Sequence, residues 1–239
     1  MIDLELLRGA AAGYGMEIPP DLAEKLDRYA ELLVEWNHRM NLTAITDPTD
    51  MVVKHFLDSL LAASSLPEGK TSLIDVGTGA GFPGVVLALY RHDIHLTLLD
   101  SLNKRLVFLK ELCDQLQLPV TLIHARAEEG GKKPELRERF DVATARAVAS
   151  LPVLCEYCLP FVRPGGRFIA LKGPDSETEQ DAAKRAMDLL GGSLRKVNVF
   201  HLAAGGCDAG ERRILWIDKK TATPARFPRA STKIAKSSL

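Results

Sequence analysis

Residues 72–84 read SLIDVGTGAGFPG: an apolar run, an acid at Asp75, a turn with glycines at 77, 79, 81 and 84, and then a helical stretch beginning VVLALY. A short apolar run before a glycine-rich turn is a strand feeding a helix, and glycines at such a turn permit positive φ and close approach of the backbone to a ligand. Beyond this stretch, β-rich runs alternate with helical ones: 94–99, 103–116, 120–124, 140–145, 149–159, 167–171 and 175–190. Each parallel connection must cross over, usually as a helix, so this alternation predicts a parallel sheet covered on both faces. The runs 193–202 and 212–218 are joined only by AAGGCDAGE, too short and too glycine-rich for a crossover helix. They are expected to form an antiparallel hairpin.

Two ligand readings compete for the turn. Gly79 to Gly84 satisfies G-x-G-x-x-G, the dinucleotide pattern, while Asp75 to Gly81 satisfies the D-x-G-x-G-x-G of enzymes that use S-adenosylmethionine. A dinucleotide places a pyrophosphate over the helix N-terminus; adenosylmethionine has no phosphate but carries an ammonium and a sulfonium, which call for an acid. Asp75, at the carboxyl end of the first strand, can accept from the amino acid moiety directly or through water. Asp100, ending LTLLD, can accept both ribose hydroxyls of either cofactor. Glu128 follows the third strand, where an acid or amide can hold an adenine. The methyl-donor reading is favoured; a dehydrogenase and a nucleoside-binding regulator without catalysis stand as alternatives from other classes.

The first 66 residues precede the alternating pattern. Leu22, Leu26, Tyr29, Leu32, Leu33 and Trp36 recur at three- and four-residue steps, and a second helical stretch runs from about 50 to 63. This extension holds 11 acids and 5 bases, whereas residues 219–239 hold 6 bases and no acid, so a formal net charge of zero hides opposite ends. Lys219, Lys220, Arg226, Arg229, Lys233 and Lys236 suggest a solvated tail that either lies free or tracks a polyanion. The expected organisation is therefore a helical extension (1–66), a cofactor-binding domain (67–218) and a basic tail (219–239).

Hydrophobic residues at 46% and charged residues at 26% exclude a disordered, collagen-like or disulfide-scaffold chain. No apolar run reaches the ~18 residues of a membrane span, and the acidic N-terminus lacks the basic flank of a signal peptide, so a cytoplasmic protein is expected. Cys155 and Cys158 form a C-x-x-C pair on a helical stretch without a second ligand pair, which makes them packing residues and predicts no metal site.

Taken in order, WNHRMNLT (36–43), HFLDSL (55–60), IDVGTGAGFPGVVLA (74–88), LLDSLNKRLVFL (98–109), ARAEE (125–129), ATARAVASL (143–151), FIALKG (168–173) and ERRIL (211–215) resemble the RsmG, or GidB, family. The resemblance covers nearly the whole chain. It implies an α/β class I methyltransferase fold, Rossmann-like, with a seven-stranded mostly parallel sheet of order 3-2-1-4-5-7-6. The implied reaction is methylation by S-adenosyl-L-methionine of N7 of a guanine in bacterial small-subunit ribosomal RNA. Gly77, Phe82, Ala127, Glu128 and Arg146 match the family's cofactor-contacting positions; Gly79, Gly81 and Asp100 join them on the physical argument above. Phe82 stands where several relatives have leucine, and a large apolar residue there is expected to cover the cofactor.

Guanine N7 has a lone pair and no proton to lose, so transfer needs in-line placement and no general base. No catalytic acid or base is therefore assigned. Lys104, Arg105, Arg126 and Lys172 are candidates for contact with RNA, as is Arg146, with Arg39 and His55 behind them. Another RNA, a protein or a small molecule is the alternative substrate. The residues TARA at 144–147 lack the Asn/Asp-Pro-Pro-aromatic signature that grips amino groups, which disfavours amino-group targets.

Overall fold

The computed structural model describes residues 1–239. Seven strands, β1 (Thr71–Val76), β2 (Ile94–Asp100), β3 (Val120–His124), β4 (Phe140–Arg146), β5 (Val162–Lys172), β6 (Gly192–Ala204) and β7 (Cys207–Lys219), form one sheet. Their order is 3-2-1-4-5-7-6, as the resemblance implies. The first five strands run parallel; β7 is antiparallel to both β5 and β6, so the expected hairpin is present. β5 begins five residues before the expected run, and its register against β4 shifts between Phe140 and Val142, where Pro164-Gly165-Gly166 is taken into the strand.

Alternate residues of each strand serve opposite faces. Leu73, Leu98, Val142, Ile169 and Ile214 belong to one apolar cluster, and their neighbours Ile74, Leu99, Ala143, Phe168 and Leu215 to a second. The first cluster is shared with the N-terminal helices, so residues 1–66 are not a separable body: Leu7, Leu26, Tyr29, Leu33 and Phe56 are fully buried in it.

The helix Pro20–Met40 starts with proline in its first turn, where no intrahelical donor is lost, and ends at Asn41 in the left-handed conformation. A helix not anticipated from the sequence, Leu4–Ala12, is capped by the Asp3 side chain, which accepts from the backbone N–H of Glu5 and Leu6. Residues 48–65 are continuous but irregular: Met51–Leu57 is a π-helix, between single α-turns and a closing 3-10 turn. π-Helical insertions are rare and concentrate at functional sites.

The basic C-terminal segment is not a solvated tail. Lys219 is fully buried and donates to Leu159 O (2.7 Å), to Thr223 Oγ1 and to Glu138 (3.3 Å). The Arg137 guanidinium donates to the carbonyls of Thr223, Pro224, Phe227 and Gly131. Arg229 forms a two-pronged pair with Glu156, whose side chain is wholly buried. Phe227 and Ile234 are buried, the latter on a short helix, Ser231–Lys236. Desolvation and chain entropy would keep these cations in water, but two carboxylates and a set of carbonyls from the chain's own core satisfy the innermost of them.

Candidate functional site

The crevice lies at the carboxyl ends of the strands, on either side of β1 and β4, where ligands of open α/β sheets bind. Two cavities open there. The smaller, about 220 Å³, is lined by Val76, Gly77, Leu99, Ser101, Ala125, Arg126, Ala127, Glu128, Val148 and Tyr157. The larger, about 420 Å³, is lined by Ile45, Lys54, His55, Asp58, Arg146, Ala147, Leu171, Lys172, Gly173 and Arg212.

The glycine turn is held from behind. The N–H groups of Gly77 and Thr78 donate to Leu99 O at the end of β2, and that of Gly79 to Asp100 Oδ2. Asp75, completely buried, accepts from Thr78 Oγ1 (2.7 Å) and Gly84 N (3.0 Å), and burial pushes its carboxyl up to about 6 against those hydrogen bonds. Through Oδ2 it braces the turn from beneath, and it lines neither cavity. Its Oδ1 has no partner.

The glycines divide by role. Gly77 (φ +71°) lines the smaller cavity, and a Cβ there would come within 2.8 Å of Val148 Cγ2. Gly79 (φ +61°) has open space around it and is glycine for conformation alone. Gly81 (φ +101°) faces inward: a Cβ would meet Tyr29 Oη at 2.6 Å and Val85 at 2.9 Å, so it is a packing residue rather than part of the ligand surface. Phe82 is likewise turned to the core, 5% exposed, stacked with Tyr29 (4.9 Å) and His55 (4.4 Å) and edge-on to Phe56. It ties the turn to the N-terminal helices and lines neither cavity, contrary to its expected covering role.

Asp100 is 1% exposed; it accepts from Gly79 N, Leu102 N (2.9 Å) and Arg105 (3.2 Å). Oδ1 takes only one of these, which leaves it room for a further donor. Its neighbours Leu99 and Ser101 reach the cavity wall. Glu128, at 6% exposure, has an unpartnered Oε1, and with Arg126 and Ala127 it starts the short helix Ala127–Gly130 on that wall. A buried carboxylate oxygen with no donor, beside a glycine that a Cβ would crowd, fits a flat, donor-bearing nucleoside.

In the larger cavity Arg146, at the end of β4, is fixed by the π-helix. It donates to Lys54 O (3.1 Å), His55 O (3.5 Å) and Asp58 Oδ2 (2.7 Å), and lies 5.0 Å from the Phe82 ring centroid. Asp58 also pairs with Arg212 at 3.4 Å. His55 Nδ1 lies 3.4 Å from Arg146 Nη2, a donor, so Nδ1 is the accepting nitrogen and Nε2–H faces Thr43 Oγ1 at 3.0 Å. Burial, and then the nearby Arg146 charge, lower its pKa to about 3, so the ring is neutral at any physiological pH.

Of the residues expected to meet RNA, Arg126 is exposed at the smaller cavity and Arg146 and Lys172 line the larger. Arg105 is committed to Asp100, and Lys104 is exposed and reaches only Met40 O, at 3.5 Å. Lys172 is committed too, to Glu179 and Ala149 O. Lys54, Asp58 and Arg212 do not stand out as site residues in the sequence, although HFLDSL and ERRIL contain two of them; Ser101 and Val148 lie within LLDSLNKRLVFL and ATARAVASL without standing out there, and Tyr157 carries no signal beyond helical spacing. Cys155 and Cys158 are fully buried with thiols pushed up by burial, and no three His, Cys, Asp or Glu side chains gather as a metal site. No helix is long and apolar enough to cross a membrane.

Comparisons with known proteins agree with this fold. A methyltransferase from Pyrococcus furiosus superposes with a TM-score of 0.57 at 17% identity, covering 83% of this chain and 100% of that one. An S-adenosylmethionine-dependent O-methyltransferase from Thermotoga maritima gives 0.55 at 17% identity, over 79% and 71%. At that identity these show the fold alone. Proteins named ribosomal RNA small subunit methyltransferase G are much nearer: that of Clostridium perfringens is 45% identical over 238 residues, 98% of each chain, and that of Symbiobacterium thermophilum 47% over 242 residues, 98% and 97%. The family model described as GidB, rRNA small subunit methyltransferase G, matches residues 22–208, and the chain belongs to that family.

Proposed function

We propose that the protein transfers the methyl group of S-adenosylmethionine to N7 of a guanine in bacterial small-subunit ribosomal RNA, presented naked or within a ribosomal particle in the cytoplasm. The observation that carries this reading is a cationic cavity without a usable base. Lys54, Arg146, Lys172 and Arg212 surround it. Its one imidazole is neutral with Nδ1 turned toward Arg146, and its one carboxylate, Asp58, is held between two guanidiniums. Such a site suits a nucleophile that brings a lone pair and has no proton to give up.

Gly77, Ala127 and Glu128, with Ser101 and Arg126, would hold the nucleoside of the cofactor, and Asp100 its ribose through the free position on Oδ1. The bound cofactor supplies an electrophilic methyl on sulfur. The protein's own part is orientation: Arg146, fixed by the π-helix and Phe82, presents its remaining N–H donors toward acceptors of a purine edge, and the cations around it hold the adjoining phosphates. Low polarity around the aromatic stack strengthens these contacts.

The deciding experiment incubates the protein with labelled adenosylmethionine and small-subunit RNA or particles, then maps methylated nucleosides by mass. A single 7-methylguanosine is expected. Label in protein or small molecules, or in an exocyclic amino group, would overturn the reading.

A further inference from the structure

Residues 147–150 form the wall between the two cavities. Ala147, with φ +55°, is a non-glycine residue in the left-handed region and lines the larger cavity; Val148, 38% exposed, lines the smaller and lies against Gly77. A β-carbon in that conformation is disfavoured and persists only where surrounding contacts over-determine it. The helix that follows, Leu151–Cys158, begins at Ser150, whose side chain makes no cap.

Two bonds tie this wall to a neighbouring element. Lys172 Nζ donates to Ala149 O (3.1 Å), and Leu151 N donates to Glu179 Oε2 (2.6 Å). The same Glu179 oxygen pairs with Lys172 Nζ at 2.8 Å, and Oε1 lies at 3.2 Å. One carboxylate thus closes a ring from the wall's carbonyl, through Lys172, to the first N–H of the next helix, where a negative charge also meets the positive end of the helix. Glu179 itself stands on the helix Ser176–Leu190 and touches neither cavity.

We infer that Glu179 is a positioning residue for the cofactor site: through Lys172 and Leu151 it holds residues 147–150 as the shared wall, with Val148 seated on Gly77. Lys172 then acts mainly as the strut of that wall, its ammonium occupied by Ala149 and Glu179, and only secondarily as a phosphate contact. The inference rests on the adenosylmethionine site and is independent of which RNA is methylated.

Its test is calorimetric titration of the full chain with adenosylmethionine, without RNA. When both bonds to Glu179 are broken the wall is in place only part of the time, and the apparent Kd rises by the inverse of that fraction, expected here at roughly five- to tenfold for Glu179→Ala. Glu179→Gln is expected to stay within about twofold, because the Gln carbonyl can take the place of the one oxygen that serves both Leu151 N and Lys172. Lys172→Met should match Glu179→Ala, which keeps the question answerable if one variant is poorly folded by circular dichroism. Wild-type cofactor affinity in folded Glu179→Ala or Lys172→Met would overturn the inference, as would a loss confined to the KM for RNA, since that is the mark of a phosphate contact. Failure to methylate RNA with cofactor binding changed as expected would count against the substrate reading alone.

Discussion

Residues 20–65 and residues 219–239 both lie outside the alternation of strands and helices, and each is folded against the sheet, on opposite faces and by different means. The N-terminal segment buries aromatic and aliphatic side chains at helical spacing, and its polar groups come last: Asp58 to Arg146 and Arg212, Thr43 to His55. The C-terminal segment buries few apolar side chains, chiefly Phe227 and Ile234, and is held by Lys219 on Leu159 and Glu138, by Arg137 on its carbonyls and by Arg229 on Glu156. The first is fixed by non-directional burial, which tolerates substitution; the second by a few charge-assisted bonds in low dielectric, which does not.

That contrast breaks most readily at Arg229. Arg229→Ala leaves the buried Glu156 carboxylate without its counter-charge, holding only the backbone N–H of residue 229 (2.7 Å), and a loss of about 3 kcal/mol in urea unfolding is expected. Replacing both partners, Glu156→Leu with Arg229→Met, should recover most of it; if the single variant costs under about 1 kcal/mol, the tail is an appendage after all.

A second difference is in pH. Lys219 is lowered to about 8 by burial, outweighing Glu138, and His55 to about 3 by burial and Arg146. In each case the unfolded chain binds the proton more tightly, so stability rises with pH, between about 8 and 10.5 for the tail and between about 3 and 6.5 for the N-terminal segment. Lys219→Met should abolish the upper rise, which is bounded at about 3 kcal/mol, and leave the lower one. Thermal melts across pH measure both.

Asp58→Asn should show that the N-terminal segment matters to the reaction more than to the fold. Arg146 and Arg212 lose their shared counter-charge, and kcat/KM for RNA is expected to fall about tenfold, or about 1.4 kcal/mol, with a change in Tm of only a few degrees. A large fall in Tm with unchanged kinetics on the folded fraction would reverse that assignment.

The smallest effect belongs to the exposed cations. Only Arg226, Lys233 and Lys236 of residues 222–239 are free to meet a polyanion, Arg229 being engaged. Changing the three to Gln should shrink the log–log salt slope of RNA binding by at most about 0.7 for each phosphate no longer neutralised, without altering cofactor affinity. A larger change would show that the packed tail still lies on RNA.

The same contrast explains what is legible in the sequence. Leu22, Leu26, Tyr29 and Leu33 announce a buried helix face because periodicity is local, and the terminal hairpin follows from the short 203–211 connection. Leu159 for Lys219, Phe227 for Arg137 and Glu156 for Arg229 lie between 60 and 90 residues away in the chain, and a run of bases without such partners resembles a solvated tail. At the site, Gly77, Ala127 and Glu128 stand together on the wall of the smaller cavity, whereas Arg146, expected beside them at the cofactor, lines the larger cavity instead. Gly81 and Phe82, two residues of the same glycine-rich motif, turn to the core because Tyr29 and His55 come from two N-terminal elements whose approach no local pattern records. Glu179 is invisible for the same reason.

The π-helix at Met51–Leu57 makes the chain's length, and not only its composition, a determinant of the site. An α-helix advances about 100° per residue, so removing one residue between 51 and 57 would regularise the helix and rotate everything before it by that angle. Lys54 O and His55 O would no longer both reach Arg146, and Tyr29 would leave Phe82. Among relatives, then, gaps should be tolerated in the β6–β7 turn and avoided in this heptapeptide, whatever residues fill it.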